Sequence, residues 1–512
     1  MSSSSLPLER FYIHPHNTIC RYFSRSFNVW RTRLSWMIRS RSGWEAGLND
    51  SSTVSEWFQD AKNELLGDYV ASIWGLKKTL AQVKKDWAVV ISSLPHYLTL
   101  VDGKMYPGPL DGSWVADDLV DVALTQRLVE EGAEVEEIAI KEKNWQPGSE
   151  NRVINVISPY LYCYLAERAG NVLKEPFIPK PQKDIYDYNH LLHFHSDKVD
   201  NYASSLDVRM ATAAQMPPAE MTWPAREWDP YYQILPADVS IDSDGTSHFT
   251  SYVNGLNPSE HGDLYATLEQ VLSKMIPLFE KTLTEIRVQR REVEQPRTRS
   301  EIAKQASLPP AVTLGGRKIQ VVVRMATTIL TPDNPRHPGG RWHIEGMANE
   351  QIVAIGLHYF SNENITKSKL RLAPTQRGWD GVTNAFEDGN NSFAIESVPG
   401  RSVVFKNSIS HRVAPFELDD PKKSGHLRIL AFFLVDPGTR ILSTARVPCQ
   451  QWTWYIAQVK DVLVNFLPPE MVELVVSFLP PGGDKYLDPE DAKCFQEQMR
   501  TERMARMTGD TY

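Results

Sequence analysis

The chain has 512 residues, of which 42% are hydrophobic and 23% are charged, and its formal net charge is −8. This composition is ordinary for a soluble globular protein, and the length allows roughly two to four domains. The negative charge excludes a global field that would draw the protein to nucleic acid or to anionic lipid, so neither is an expected partner.

Cysteine use and the N-terminus bear on location. Cys20, Cys163, Cys449 and Cys494 are far apart and form no CxxC pattern, which favours a reducing, intracellular and most simply cytoplasmic compartment. No apolar run approaches the roughly 20 residues needed to span a bilayer. Residues 1–43 hold seven arginines, which faintly resembles a mitochondrial transit peptide. The alternative is a frayed tail that leads into a basic helix.

The N-terminal half is mostly helical by pattern. Residues 1–28 are predicted to form a flexible tail, and residues 29–230 are predicted to form a helical and loop-rich region that packs on the core. Within that region, apolar residues at three- and four-residue spacing predict helix over 29–101 and 117–137. Residues 176–228 are rich in Pro, His, Tyr and Asp, and predict an ordered loop.

The predicted core spans residues 231–448. It begins with two strands in residues 231–257, continues with an inserted helix over 264–293 and a polar linker over 295–316, and then becomes rich in β-structure. The β-rich runs are 318–331, 351–360, 369–373, 401–416 and 427–435. Residues 449–512 return to helix, over 452–466, 469–478 and 489–507. The prediction is an α+β fold: a double-stranded β-helix (jelly-roll) core, a large helical N-terminal region and C-terminal helices.

One short motif in this core suggests metal chemistry. In extended chain, positions i and i+2 face the same side, so His343 and Glu345 can address one point in space. An imidazole and a carboxylate together suit Fe(II), Mn(II) or Zn(II). Alone, the pair is weak evidence for a metal, because a surface hydrogen bond between the two residues would explain it as well.

A second motif lies downstream. Pro399-Gly-Arg-Ser-Val-Val-Phe reads as a turn followed by a strand that delivers His411. A hairpin over 418–425 then leads to a return strand that carries Arg428. His411 could also be a core histidine satisfied by hydrogen bonds, and Arg428 could pair with Asp419 across the hairpin.

The order of these motifs over residues 318–437 resembles that of the iron- and 2-oxoglutarate-dependent oxygenases. The resemblance implies that His343, Glu345 and His411 bind Fe(II), and that 2-oxoglutarate is a co-substrate. It also implies that Arg428 anchors the distal carboxylate of 2-oxoglutarate, since a planar guanidinium can give a carboxylate two hydrogen bonds. Two departures are a Glu where Asp is commoner and a longer gap between His411 and the arginine.

A closer resemblance extends over nearly the whole chain. The chain is similar to a mainly fungal group, the domain-of-unknown-function 4246 family. The segments that carry this similarity are Glu142-Lys-Asn-Trp-Gln-Pro-Gly-Ser, Ile157-Ser-Pro-Tyr-Leu-Tyr, Gln233-Ile-Leu-Pro-Ala-Asp, Ser251-Tyr-Val-Asn-Gly-Leu-Asn-Pro, Trp342-His-Ile-Glu-Gly-Met-Ala-Asn-Glu and Leu434-Val-Asp-Pro.

These patterns predict an oxygenase, of hydroxylase type, that acts on a small molecule or on a protein side chain. Two alternatives stay open: a catalytically silent jelly-roll scaffold, and a cupin-like zinc or manganese protein that needs no 2-oxoglutarate. The segment 374–391, rich in Gly, Asp and Asn, is either a lid over the site or plain disorder.

Overall fold

A computed structural model describes residue 11 and residues 29–66, 79–165, 232–294, 310–374, 392–479 and 486–508. The predicted loop over 176–228 and the predicted lid after residue 374 lie outside these described residues, as does most of the predicted tail and linker. In the part of the chain that the structure describes, no helix is long and apolar enough to cross a membrane.

Helices occupy both ends of the described chain and one long central segment. They are α1 (Val29–Arg39), α2 (Trp44–Gly47), α3 (Ser51–Leu66), α4 (Leu80–Leu100), α5 (Val122–Lys141), α6 (Gly262–Glu294), α7 (Trp452–Leu463), α8 (Pro469–Ser477) and α9 (Pro489–Thr508). Side-chain caps fix two of the starts: Thr79 and Gln82 form a capping box before α4, and Asp121 accepts a hydrogen bond from the backbone of Leu124 in α5. The predicted central and C-terminal helices are confirmed to within a few residues.

The strands before the core are short, and those within it are longer. They are β1 (Met105–Pro107), β2 (Ser113–Asp117), β3 (Val153–Ile157), β4 (Tyr164–Leu165), β5 (Tyr232–Gln233), β6 (Ala237–Ile241), β7 (Ser247–Phe249), β8 (Lys318–Leu330), β9 (Arg336–His337), β10 (Ile352–Glu363), β11 (Lys369–Pro374), β12 (Phe393–Glu396), β13 (Arg401–Lys406), β14 (Ile409–Val413), β15 (Phe416–Glu417) and β16 (Gly425–Val435).

Among the described residues, nine strands form one antiparallel sheet in the order β1-β2-β13-β10-β16-β8-β6-β7, with β3 also paired to β8. Three long strands, β10, β16 and β8, form its centre. These strands are rich in Val, Ile, Leu and Phe and are buried on both faces, so their apolar residues run nearly without interruption. A second sheet has the order β12-β11-β14.

One apolar cluster lies on each face of the large sheet. On one face, Leu430 and Phe432 pack with residues of α5 and α6. On the other face, Phe405 and Phe433 pack with Leu372 and other residues of the three-stranded sheet. The described core is therefore layered: helices, the large antiparallel sheet and the small antiparallel sheet, with one apolar cluster in each gap.

The predicted β-run over 401–416 differs from the structure in a way that matters for the site. It is divided among β13, β14 and β15, because the chain turns at Asn407 and Ser408 and passes from the large sheet to the small one. The turn is held by Asn407, whose amide donates to the carbonyl oxygen of Ile352. His411 therefore lies on the small sheet and faces the large one.

Strands from the N-terminal half complete the large sheet. β1, β2 and β3 precede residue 231, where the predicted core begins, yet β2 pairs with β13 and β3 pairs with β8. The predicted helix over 117–137 is displaced to α5, because β2 extends to Asp117.

Candidate metal centre

Three side chains from two separate segments converge at the edge of the small sheet. His343, Glu345 and His411 each offer one ligand atom, and these atoms lie within 4.8 Å of one another. The Nε2 atoms of His343 and His411 are 3.5 Å and 3.9 Å from Oε1 of Glu345. The structure thus brings together the three predicted metal ligands.

Backbone hydrogen bonds between the two segments bring the two histidines together. His343 and His411 form an isolated antiparallel bridge, in which each backbone N–H donates to the carbonyl oxygen of the other residue at 3.1 and 2.9 Å. His411 also pairs with Leu372 on β11, so its position is fixed from both sides. The two rings are 4.3 Å apart between centroids.

The position of Glu345 depends on Asn407. The Asn407 side-chain oxygen accepts from the backbone N–H of Glu345 at 2.9 Å, and its amide donates to the Glu345 carbonyl oxygen at 2.7 Å. Gly346 follows with φ +74°, and a Cβ there would lie 2.6 Å from the side chain of Ile352. The positive φ favours glycine at this turn, which directly follows Glu345.

Two further contacts orient the side chains. The Nδ1 atom of His343 is 2.9 Å from the carbonyl oxygen of Arg341, so its N–H donates to that oxygen and Nε2 is the ring atom that faces Glu345. The Tyr160 hydroxyl donates to Oε2 of Glu345 at 3.0 Å. Burial raises the pKa of Tyr160, so the phenol stays protonated and can donate this hydrogen bond.

The charges of the cluster are coupled. Burial alone would raise the pKa of Glu345, but the hydrogen bond and charge of His343 outweigh it and hold that pKa well below its usual range. Loss of hydration would lower the pKa of His343, but Glu345 outweighs it and leaves the pKa raised. Burial, together with the charge of His343, lowers the pKa of His411 to about 3. The carboxylate is therefore ionised, and His411 is neutral over the physiological range.

This donor set fits a divalent metal. A buried carboxylate needs a compensating cation, and Glu345 is only 7% exposed. Two neutral imidazoles and one carboxylate suit Fe(II), Mn(II) or Zn(II), and a set of three protein ligands leaves coordination positions for other molecules. The His343 side chain is 39% exposed, so the cluster is approachable from that side.

Arg428 is not part of this cluster. Its Nε and an amino group donate to the two carboxylate oxygens of Glu136, both at 3.0 Å. The strand register pairs Arg428 with Thr327, whose hydroxyl donates to the same carboxylate. Arg428 shares a face with Leu430 and Phe432, and that face packs against the helices rather than against the small sheet. The predicted anchor role is therefore not supported, and the predicted alternative partner, Asp419, is not the partner either.

Sequence reasoning missed two residues that support the cluster. Asn407 lies between two apolar strands, and a polar residue at such a break is a signal for a turn that needs side-chain hydrogen bonds. Tyr160 is within the segment Ile157-Ser-Pro-Tyr-Leu-Tyr, but it is 185 residues from Glu345 in sequence. Nothing local in the sequence indicates that pairing.

The described residues define a protein with mixed helix and antiparallel sheet and with a His-Glu-His cluster suited to a divalent metal. The family model described as "Protein of unknown function (DUF4246)" matches residues 85–313 and 292–458. The match covers more than half of the chain, which therefore belongs to this family. No curated protein matches the chain.

Solved structures show only a distant likeness. The Fe(II)/(alpha)ketoglutarate-dependent dioxygenase TqaL is 9% identical with a TM-score of 0.22, and the match covers 60% of this chain and 89% of that one. A dioxygenase for auxin oxidation from rice is 10% identical with a TM-score of 0.24, over 63% and 73% of the two chains. A 2OG-Fe(II) oxygenase family protein from Burkholderia pseudomallei is 8% identical with a TM-score of 0.21, over 41% and 68%.

Proposed function

We propose that this protein is a non-haem Fe(II)- and 2-oxoglutarate-dependent oxygenase of the hydroxylase type. The observation that carries the proposal is the convergence of His343, Glu345 and His411 within 4.8 Å. Two histidines and one carboxylate with open positions form the ligand set typical of non-haem Fe(II) oxygenases. The order of the strands in the two facing sheets is compatible with a jelly-roll core.

The residues of the chain have distinct parts in this function. His343 and His411 would hold the metal through Nε2, and Glu345 would hold it through a carboxylate oxygen. Arg341 and Tyr160 restrict the rotation of their partners, and such supporting contacts raise metal affinity. When bound, iron with 2-oxoglutarate and dioxygen would supply the oxidation of a C–H bond, while the protein supplies position and a dry pocket.

The substrate class is also part of the proposal. A small molecule or a protein side chain fits a buried site that is approachable beside His343. The net charge of −8 gives no general attraction to nucleic acid or to anionic membranes.

Succinate formation is the reaction that tests this proposal. Protein purified without oxygen is loaded with Fe(II), given 2-oxoglutarate and air, and assayed for succinate. We expect slow turnover even without the substrate, and its loss in His343→Ala. His248→Ala is the matched control, because His248 is a half-exposed histidine on β7 whose partners among the described residues are Asp242 and Glu269.

The two alternatives give different results in the same assay. A protein that binds zinc or manganese tightly and forms no succinate would be a cupin-like metalloprotein. A protein that binds no metal, and whose stability does not change when metal is added, would be a silent scaffold. Either result contradicts the proposal.

A further inference from the structure

Arg324 lies on the same face of the large sheet as the metal cluster. In the register of β8 and β16, Arg324 is opposite Ala431, so the two side chains are on one face. Ala431 belongs to the apolar cluster between the two sheets, together with Phe405 and Phe433. The ring of His411 packs edge-on against Phe405 at 5.0 Å. Arg324 therefore enters the layer that contains the metal ligands, opposite a residue small enough to leave it room.

One N–H group of the Arg324 guanidinium makes no hydrogen bond to the residues that the structure describes. One amino group donates to Oε1 of Gln146 at 2.9 Å, and the guanidinium carbon is 6.0 Å from the centre of the Tyr160 ring. Its Nε–H is buried and has no hydrogen-bond partner among the residues that the structure describes. An unsatisfied buried donor destabilises the fold, and the cost is larger when the donor is charged.

Tyr160 connects this guanidinium to the metal cluster. Its ring lies beside Arg324, and its hydroxyl donates to Glu345. The positive charge of Arg324 also lowers the pKa values of His343, Glu345 and His411, in each case as a smaller effect than burial. Arg324 is thus close enough to act electrostatically on all three predicted ligands.

Three other arginines near the site have partners that occupy them. Arg428 makes a two-pronged ion pair with Glu136. Arg503 is also beside the Tyr160 ring, at 5.3 Å, but it pairs with the buried carboxylate of Glu350. Arg412 is one residue from His411, points to the opposite face of its strand and stacks on Trp342 at 4.7 Å. Arg412 and Arg503 also have a buried Nε–H without a partner, but Arg412 points away from the cluster and Arg503 already pairs with a carboxylate. Arg324 faces the layer of the metal ligands and, among the residues that the structure describes, pairs with no carboxylate.

We propose that Arg324 binds the carboxylate of 2-oxoglutarate that is remote from the metal, a role that rests on the function proposed above. The Nε–H and a neighbouring N–H of a guanidinium form a planar fork that matches a carboxylate. The carboxylate would satisfy the orphaned donor and neutralise the charge of the guanidinium. In this chain the anchoring cation thus comes from the first long strand of the sheet, not from β16.

A comparison of two ligands isolates this interaction. The metal-loaded protein, with Mn(II) in place of Fe(II) and without oxygen, is titrated by calorimetry with 2-oxoglutarate and with 2-oxopentanoate. The second ligand has the same carbon chain but carries a methyl group where the remote carboxylate is. We expect the wild-type protein to prefer 2-oxoglutarate by about 10- to 100-fold, the range for a charge-assisted hydrogen-bonded pair.

In Arg324→Gln this preference falls to near unity, while the protein still binds Mn(II) and 2-oxopentanoate, because neither ligand needs the guanidinium. Gln146→Glu is a second variant, at an exposed position, that leaves the arginine in place. Its carboxylate competes for Arg324, so it weakens 2-oxoglutarate binding selectively and without disturbing the core.

The control is the double variant Glu136→Gln/Arg428→Gln, which removes the ion pair on the opposite face and keeps the preference. A preference that survives in Arg324→Gln, or that is lost equally in the control, overturns the role of Arg324. If the wild-type metal-loaded protein binds neither 2-oxo acid more tightly than the metal-free protein does, the proposed function itself fails. The two failures are therefore distinguishable.

Discussion

Tyr160 holds one carboxylate oxygen of Glu345, leaving the other to face the two imidazoles. Tyr160→Phe removes only that hydrogen bond, so the carboxylate gains rotational freedom. We expect metal affinity to fall by about 10- to 100-fold, as is typical when an outer contact to a ligand is lost. Competition with a chelating dye measures this change.

Tyr265→Phe is the matched control for Tyr160→Phe. The Tyr265 hydroxyl donates to the backbone of Leu256, away from the metal cluster, so its loss should leave metal affinity unchanged. Equal affinities for the wild-type protein and Tyr160→Phe would show that the phenol does not position Glu345.

The protonation of His343 predicts how metal binding depends on pH. The pKa of His343 is raised above the usual 6.5, because Glu345 raises it by more than the loss of hydration lowers it. The pKa of His411 is lowered to about 3. At a pH below the raised pKa of His343, a metal must displace a proton from His343 in order to bind. His411 is already neutral at that pH and has no such proton to lose. Metal affinity should therefore weaken as pH falls through the raised value, by about tenfold per pH unit.

Titrations of Mn(II) from about pH 5 to 8, the range in which histidines change charge, measure this dependence. A single displaced proton gives a slope near one in a plot of log affinity against pH. A slope near two would contradict the assignment, since it would require both imidazoles to be protonated in the metal-free protein.

At the scale of elements, the ion pair between Arg428 and Glu136 joins β16 to α5. Both side chains are mostly buried, at 19% and 13% exposure. Each single variant, Arg428→Gln or Glu136→Gln, should therefore destabilise the fold, because it leaves a buried charge without its partner. The double variant should recover part of that loss, with a coupling energy of about 1–3 kcal/mol.

Chemical denaturation of the four proteins in this cycle measures the coupling. The metal affinity of the double variant should equal that of the wild type, because the pair lies on the opposite face of the sheet from the cluster. A coupling energy near zero would show that the pair contributes little, and reduced metal affinity would show that Arg428 acts on the site.

The different outcomes for His411 and Arg428 show what the sequence can predict about these elements. The alternation along β16 correctly groups Arg428 with Leu430 and Phe432. It does not reveal which face meets the small sheet, because Leu427, Ile429 and Phe433 make the opposite face equally apolar. A strand that is buried on both sides has no polar face to orient it. The positions of His343 and Glu345 are predictable because their spacing alone places them on one side.

At the scale of the whole molecule, the N-terminal half supplies strands to the large sheet. β2 is five residues long and pairs with β13, and Asp117 at its end makes an ion pair with Arg401, 284 residues away in sequence. Short strands with distant partners carry little local signal, so the sequence patterns predicted no strand between the helices over 29–101 and 117–137. The same distance hides Tyr160 and Arg324, whose roles depend on contacts that form only after the sheet is assembled.

The central claim is that the chain binds one divalent metal through His343, Glu345 and His411. Metal content after anaerobic loading with Fe(II) and removal of excess metal tests it most directly, in the wild-type protein and in the double variant His343→Ala/His411→Ala. We expect one iron per chain in the wild type and almost none in the double variant, with both proteins folded. Equal iron content in the two proteins would contradict it.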